Sequence, residues 1–126
     1  PCQLYQLLND GDGNSVAEIS MFGLPAGREV AAGATVITPL ETLLTQQISM
    51  SVDGGQVKRY PFTFCAGNGC FSRIGFTSQE VAQFKRGANA KLVIVPAAAP
   101  DQKIELTVSL SGFTAGYDAV NASNGN

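Results

Sequence analysis

The sequence contains no histidine and no tryptophan. Without histidine, neither a Ser-His-Asp nor a Cys-His constellation can be assembled, and the histidine-bearing zinc sites are ruled out with them. Three cysteines are too few for a four-thiolate zinc site. Charge is sparse: 14% of residues are Asp, Glu, Lys or Arg, and the formal net charge is -2. The eight basic residues stand singly or in the pairs Lys58-Arg59 and Lys85-Arg86, so no basic stripe is available to neutralise a run of phosphates, and nucleic acid is not an expected partner. Long apolar runs are missing too. The stretch Leu92–Ala99 is far shorter than the ~20 residues that cross a bilayer, and Pro96 interrupts it, so no transmembrane segment is expected. No basic region followed by an apolar run opens the chain, which starts at Pro1-Cys2 without a Met, as a processed or trimmed product would. Internal repeats, low-complexity tracts and domain-dividing linkers are absent as well.

What remains describes one globular domain. A chain of 126 residues with a 44% hydrophobic composition can bury roughly two-thirds of its unfolded surface around a single core, and lies away from the compositions that stay disordered. Period-two alternation is clearest in Lys103–Leu110, where Ile104, Leu106, Val108 and Leu110 share one face and Lys103, Glu105, Thr107 and Ser109 the other. The same logic marks Gln3–Leu8, Ser15–Phe22, Gln47–Val52, Gln56–Phe64, Phe71–Phe76 and Lys91–Val95 as strands. Asn9–Asn14 and Asp53-Gly-Gly55 supply residues that tolerate positive φ and read as hairpin turns. Parallel pairs need long crossovers, so the expected fold is an all-β, mostly antiparallel, two-sheet sandwich of about seven to eight strands. One short α-helix is expected near residues 78–86. Thr77-Ser-Gln-Glu80 forms its capping box, Val81 and Phe84 its apolar face, Lys85 and Arg86 its cationic end, and Gly87 its left-handed cap. Gly112–Asn121 is expected to add a short helical turn that closes the domain, and Asn121–Asn126 to fray.

Few motifs carry chemistry. Glu18, Glu29, Glu41, Glu80 and Glu105 leave carboxylate or lysine catalysis formally open, but no two acids fall at a spacing that brings them together on one predicted element. The chain is accordingly expected not to be an enzyme and to hold no cofactor and no metal. Asp10-Gly-Asp12-Gly-Asn14 begins like a calcium loop, yet Ser15 stands where Gly is needed and Met21 where a bidentate Glu is needed, so a plain hairpin is the better reading. Cys65-Ala-Gly-Asn-Gly-Cys70 brackets a flexible loop between two predicted strands. A structural disulfide there contributes about 2 kcal/mol on the chain-entropy model, and the spacing is not that of a redox-active Cys-x-x-Cys pair. Cys2 is left over, which in an exported protein implies a partner in another chain or in sequence upstream, the latter being simpler given how the chain opens. Asn121-Ala-Ser123 matches a glycosylation sequon, a pattern short enough to arise by chance.

Cys2-Gln-Leu near the start, Val52-Asp-Gly-Gly55, Cys65-Ala-Gly-Asn-Gly-Cys70-Phe71 and the closing Leu110-Ser-Gly-Phe-Thr-Ala-Gly-Tyr-Asp118 together resemble the invasion-associated locus B (IalB) family of α-proteobacteria. The resemblance covers nearly the whole chain in order, and Asn-Gly-Cys-Phe and Ser-Gly-Phe-Thr-Ala are its specific parts. Family members usually begin with a signal peptide and an extra strand carrying a Trp and a cysteine, neither present in this sequence. The resemblance implies that Cys2 bridges to that upstream cysteine while Cys65 and Cys70 close their own loop. It also implies export to the periplasm or the outer membrane and cell surface, and brings no catalytic residue with it. Host-cell invasion belongs to the family in blood-borne pathogens and is not carried over to this chain, because members also occur in free-living bacteria.

Three functions compete. The first is an envelope module binding an envelope or host-surface protein through exposed loops, Ala66, Gly67, Asn68 and Gly69 in one and Gly23–Gly27 in another, with self-association also open. The second is a periplasmic carrier of a small apolar ligand held between the sheets, suggested by Tyr60, Phe62 and Phe64 on alternate positions facing one way. A filled aromatic core explains those three more simply. An enzyme working with Lys and carboxylates ranks last.

Overall fold

The structure is a computed structural model and describes residues 2–25 and 29–125. Among the described residues the strands are β1 (Leu4–Asn9), β2 (Ser15–Gly23), β3 (Ala32–Thr38), β4 (Ile48–Val52), β5 (Lys58–Tyr60), β6 (Phe64–Ala66), β7 (Gly69–Phe76), β8 (Asn89–Ile94) and β9 (Ile104–Ser109). Two α-helices, α1 (Ser78–Arg86) and α2 (Phe113–Ser123), and a single 3-10 turn at Leu44–Gln46 complete the described fold. The strands form two antiparallel sheets, ordered β1-β2-β3-β7-β6 and β5-β4-β8-β9. This is the sandwich that the alternating pattern predicts.

Both turns close hairpins. Asp10 accepts the Asp12 and Asn14 amides on its carboxylate at 2.9 and 3.0 Å, which folds the chain from β1 into β2. Asp53 and Gly54 both have positive φ, 50° and 75°, and the Gly55 amide donates to the Val52 carbonyl at 2.9 Å. That is the type I′ geometry for which Asp-Gly is selected.

Two strand expectations are corrected. The segment Gln56–Phe64 is not one strand: Pro61 has no amide for a ladder, and the chain passes from β5 in the four-stranded sheet to β6 in the five-stranded one. Conversely β3, at the centre of the five-stranded sheet, lies outside every segment that alternation marks as a strand. Its Ala32, Ala34, Val36 and Thr38 are buried, and the small Ala32 and Ala34, which with Gly33 carry weak strand preference, are what that crowded inner face accepts. The count therefore exceeds the seven or eight expected.

Inward-facing Ala17, Ile19, Met21, Ile74 and Phe76 of the one sheet meet Ile48, Met50, Leu92, Ile94 and Leu106 of the other. Each such large side chain stabilises the fold by about 1.5–3 kcal/mol through burial. An aromatic chain ties the helices to this core. Phe84 of α1 meets Phe76 edge-on at 4.9 Å and Phe113 at 5.8 Å, and Phe113 stacks on Tyr117 at 5.4 Å.

Both halves of the capping box form at α1, with Thr77 Oγ1 accepting from the Glu80 amide and Glu80 Oε1 accepting from the Thr77 amide. The left-handed cap at Gly87 does not: its φ is -82°. Gly87 is needed instead for space, since a Cβ there would lie 2.8 Å from both Leu110 Cδ1 and Val52 Cγ1. The expected closing turn is a full helix of 11 residues, α2. Nor do residues 121–124 fray as expected, Asn126 lying outside the described residues. Asn121 Oδ1 accepts the Gly23 amide at 3.0 Å, and Asn124 brackets Cys2, accepting from its amide at 2.7 Å and donating to its carbonyl at 2.8 Å.

Candidate interaction face and polar cleft

The β6–β7 hairpin carries the disulfide. Cys65 and Cys70 are bonded and sit directly opposite one another, with Cα atoms 4.0 Å apart. Ser72 Oγ donates to the Pro61 carbonyl at 2.7 Å and the Thr63 amide to the Phe71 carbonyl at 2.7 Å, fixing the chain that leads into β6. Registers on either side of β7 place Leu7, Glu18, Ile37, Phe71 and Phe64 opposite one another in turn, one residue from each strand. That row runs across the outer face of the five-stranded sheet. Phe64 and Phe71 stack at 4.7 Å, and the Arg73 guanidinium lies 5.3 Å from the Phe64 ring centre. Leu7 is 51% exposed, the adjacent Tyr5 58% and Phe64 40%. The Tyr5 hydroxyl donates to the Glu18 carboxylate, and that hydrogen bond raises the phenol above its ordinary pKa. The face is thus a largely apolar row interrupted by one acidic group, Glu18, and bordered by one basic group, Arg73.

The candidate loop Ala66–Gly69 is the tip of this hairpin. Ala66, Gly67 and Asn68 are exposed, whereas Gly69 is buried against Thr38 and Ile37 and has no surface to offer a partner. Asn68 borders a shallow depression of ≈ 370 Å³ on the outer face that Leu7, Val16, Ile37 and Pro39 also line. In the other candidate loop Gly23 is buried at the end of β2, and Ala26 and Gly27 lie outside the described residues. Sequence reasoning missed Leu7, Ile37 and Glu18. The signal was there in the adjacent pairs Leu7-Leu8 and Val36-Ile37, which put apolar groups on both faces of their strands.

The three aromatics offered for a ligand carrier do not form a row. Tyr60 belongs to β5 and Phe64 to β6, on different sheets, because the chain crosses between them at Pro61–Thr63. An apolar recess of ≈ 200 Å³ does open between β1 and β9 and reaches Met21, Phe84 and Phe113, but none of the three aromatics lines it.

A third concavity, of ≈ 250 Å³, lies where the β4–β5 hairpin faces α1. Lys58 Nζ and the Tyr60 hydroxyl donate to Glu80 Oε2 at 2.8 and 3.2 Å. The Glu80 side chain is 14% exposed. Burial alone raises its pKa, but the hydrogen bonds from Lys58 and Thr77 and the Lys58 charge outweigh burial and hold the carboxyl below its ordinary value. Burial, followed by the neighbouring Glu80 charge and hydrogen bond, pushes Tyr60 up to about 12.

Cys2 is exposed and unpaired among the described residues. No helix among them is long and apolar enough to cross a membrane.

Comparison with known proteins places the molecule. The family model described as "Invasion associated locus B (IalB) protein" matches residues 1–121. Invasion protein B homologues of two Brucella abortus strains are each 30% identical over 98 residues, covering 75% of this chain and 56% of theirs. The chain thus spans little more than half the length of those relatives. The crystal structure of invasion associated protein B from Bartonella henselae superposes with a TM-score of 0.82 at 23% identity, covering 99% of this chain and 87% of that one. At that identity the superposition speaks for the sandwich alone, and the family match extends over all but the last five residues. The chain belongs to the invasion associated locus B family.

Proposed function

We propose that this domain is a non-catalytic protein-binding module of the bacterial envelope that docks through the outer face of its five-stranded sheet. The observation that carries the reading is the row Leu7, Glu18, Ile37, Phe71 and Phe64, which sets four apolar side chains and one carboxylate across five paired strands. A stapled edge holds the row rigid, so little ordering entropy opposes docking. Aromatic groups flanked by single charges are the composition that anchors protein interfaces. Glu18 within the row and Arg73 beside it select a partner whose surface carries the opposite charges.

Export fits a disulfide, which persists outside the reducing cytosol, and the names of the relatives tie them to invasion. On this reading the module works in the periplasm or at the outer surface, and Cys2 is joined to a cysteine upstream in the full-length protein. Invasion itself is not part of the proposal.

The experiment is affinity capture from envelope extracts with the wild-type domain and with Leu7→Asp and Phe64→Asp, both exposed positions. Capture of the same envelope protein by wild type and its loss in both variants supports the reading. Equal capture by all three, or repeated recovery of nothing, counts against it. Mass mapping of the exported full-length protein without reductant reads the Cys2 bridge separately.

A further inference from the structure

The cleft between α1 and the β4–β5 hairpin is made of elements that take no part in the face described above, and its chemistry is different. Its floor is apolar: Met50 and Phe84 are buried, and the half-buried Tyr60 ring is fixed edge-on against Phe76 at 5.9 Å. Its rim is polar, and the acids on it are already engaged. Glu80 accepts from the Thr77 amide on one oxygen and from Lys58 and Tyr60 on the other. Asp53 accepts the Ala88 amide at 3.1 to 3.2 Å and the Asn89 amide at 3.1 Å. Arg86 also lines the cleft, and its guanidinium has no ion pair or hydrogen bond among the described residues. What the rim offers, then, is donors in search of an acceptor: the Arg86 fork and the ammonium protons that Lys58 does not give to Glu80.

We infer that this cleft binds a small monocarboxylate with an apolar body, the carboxylate on Arg86 and Lys58 and the body over Met50, Phe84 and Tyr60. A guanidinium fork matches a planar carboxylate with two parallel hydrogen bonds. A doubly charged phosphate fits less well, because the acidic side chains of Glu80 and Asp53 line the same space and disfavour the second charge. The apolar floor selects a carbon body over a bare inorganic anion. At ≈ 250 Å³ the cleft is smaller than the ~300–1,000 Å³ of sites for drug-sized ligands. The occupant is therefore a small organic acid or the C-terminal residue of a peptide, which present the same chemistry.

The test is amide-detected NMR titration of the domain with three probes: phenylacetate for the free acid, N-acetyl-L-phenylalanine for the peptide C-terminus, and phenylacetamide as the uncharged analogue. Millimolar concentrations of either acid are expected to shift amides in Met50–Gln56 and Gln83–Gly87, with the amide analogue at least about tenfold weaker. Arg86→Gln lowers the affinity about tenfold, whereas Lys85→Gln, one residue away and paired with Asp118 at 3.5 Å, leaves it unchanged. Both positions are exposed, so both variants fold, and their spectra verify it. Tighter binding of N-acetylphenylalanine assigns the site to peptide ends, and equal or tighter binding of phenylacetate to free acids. The inference is overturned if neither acid shifts these amides, if phenylacetamide binds as well as phenylacetate, or if Arg86→Gln has no effect.

Discussion

Asn121, near the end of α2, accepts the backbone amide of Gly23, at the end of β2, at 3.0 Å across 98 residues of sequence. The bond pins the closing helix to the five-stranded sheet. It also gives Asn121 of the Asn-Ala-Ser pattern a structural role, through its side-chain oxygen. Asn121→Ala is expected to lower unfolding free energy by about 1 kcal/mol, read from urea denaturation. Gly23→Ala should cost at least as much, because a Cβ at Gly23 would collide with the Asn121 amide group. The double variant should cost less than the sum, because Asn121→Ala removes the side chain with which the new Cβ at position 23 collides.

The Cys65–Cys70 bridge spans only a sequence separation of 5, so its effect on the unfolded chain is modest. Replacing both cysteines by Ala is expected to lower stability by about 2 kcal/mol, seen as a lower urea midpoint. Reductant should shift the wild type toward that value and leave the variant where it is. An unchanged wild-type midpoint under full reduction would show that hairpin packing alone holds β6.

Glu80 links α1 to β5 through its charge. Its folded pKa is below the unfolded value, so its contribution is complete above the ordinary carboxylate range and is lost as pH falls through the folded pKa. Wild-type Tm should drop in acid below about pH 4.5 more steeply than that of Glu80→Gln, whose side-chain oxygen still closes the capping box but which at neutral pH is itself less stable by on the order of 1 kcal/mol through the lost charge at the helix N-terminus and the lost pair with Lys58. Tyr60 acts at the other end. Its folded pKa of about 12 lies above the ordinary 10.0, so the stability it gives is complete below pH 10 and fades as pH rises toward the folded value. Ultraviolet titration should reveal a phenol ionising near pH 12 that Tyr60→Phe lacks.

The parts of the fold legible in the sequence were those with a local cause. The alternation in Lys103–Leu110, the capping box at Thr77 and Glu80 and the positive-φ turns at Asp10–Asn14 and Asp53–Gly55 each follow from neighbours within a few residues. What was not legible depended on distant partners. Ala-Gly-Ala at the start of β3 reads as weak strand former until β2 and β7 flank it. The break at Pro61 was visible, but its consequence, a change of sheet, was not. The interaction face was hidden for the same reason, since Leu7 and Phe64 share one row only through three intervening strands. In the cleft, Lys58 and Tyr60 meet Glu80 from across 22 and 20 residues, a pairing that no local spacing encodes.

The two glycines of the Ala66–Gly69 turn separate local from long-range causes. At Gly67 an added Cβ meets nothing within 4 Å, and φ is not positive. Gly67→Ala should therefore leave stability within ±0.5 kcal/mol, or raise it slightly by restricting the unfolded chain. At Gly69, φ is 148°, and a Cβ would lie 2.5 Å from the Thr38 carbonyl oxygen and 3.0 Å from Ile37 Cγ2. The first of these is backbone of β3, paired with Cys70 next door, and cannot swing aside as a side chain can. Gly69→Ala should cost on the order of 2 kcal/mol and displace β7 from β3 at the end that carries the disulfide. Because Ile37 belongs to the exposed row, the same variant should also weaken capture of an envelope partner while Gly67→Ala does not. Urea denaturation and capture run on the two variants side by side read both effects, and equal behaviour of the pair would remove Gly69 as the support of the face.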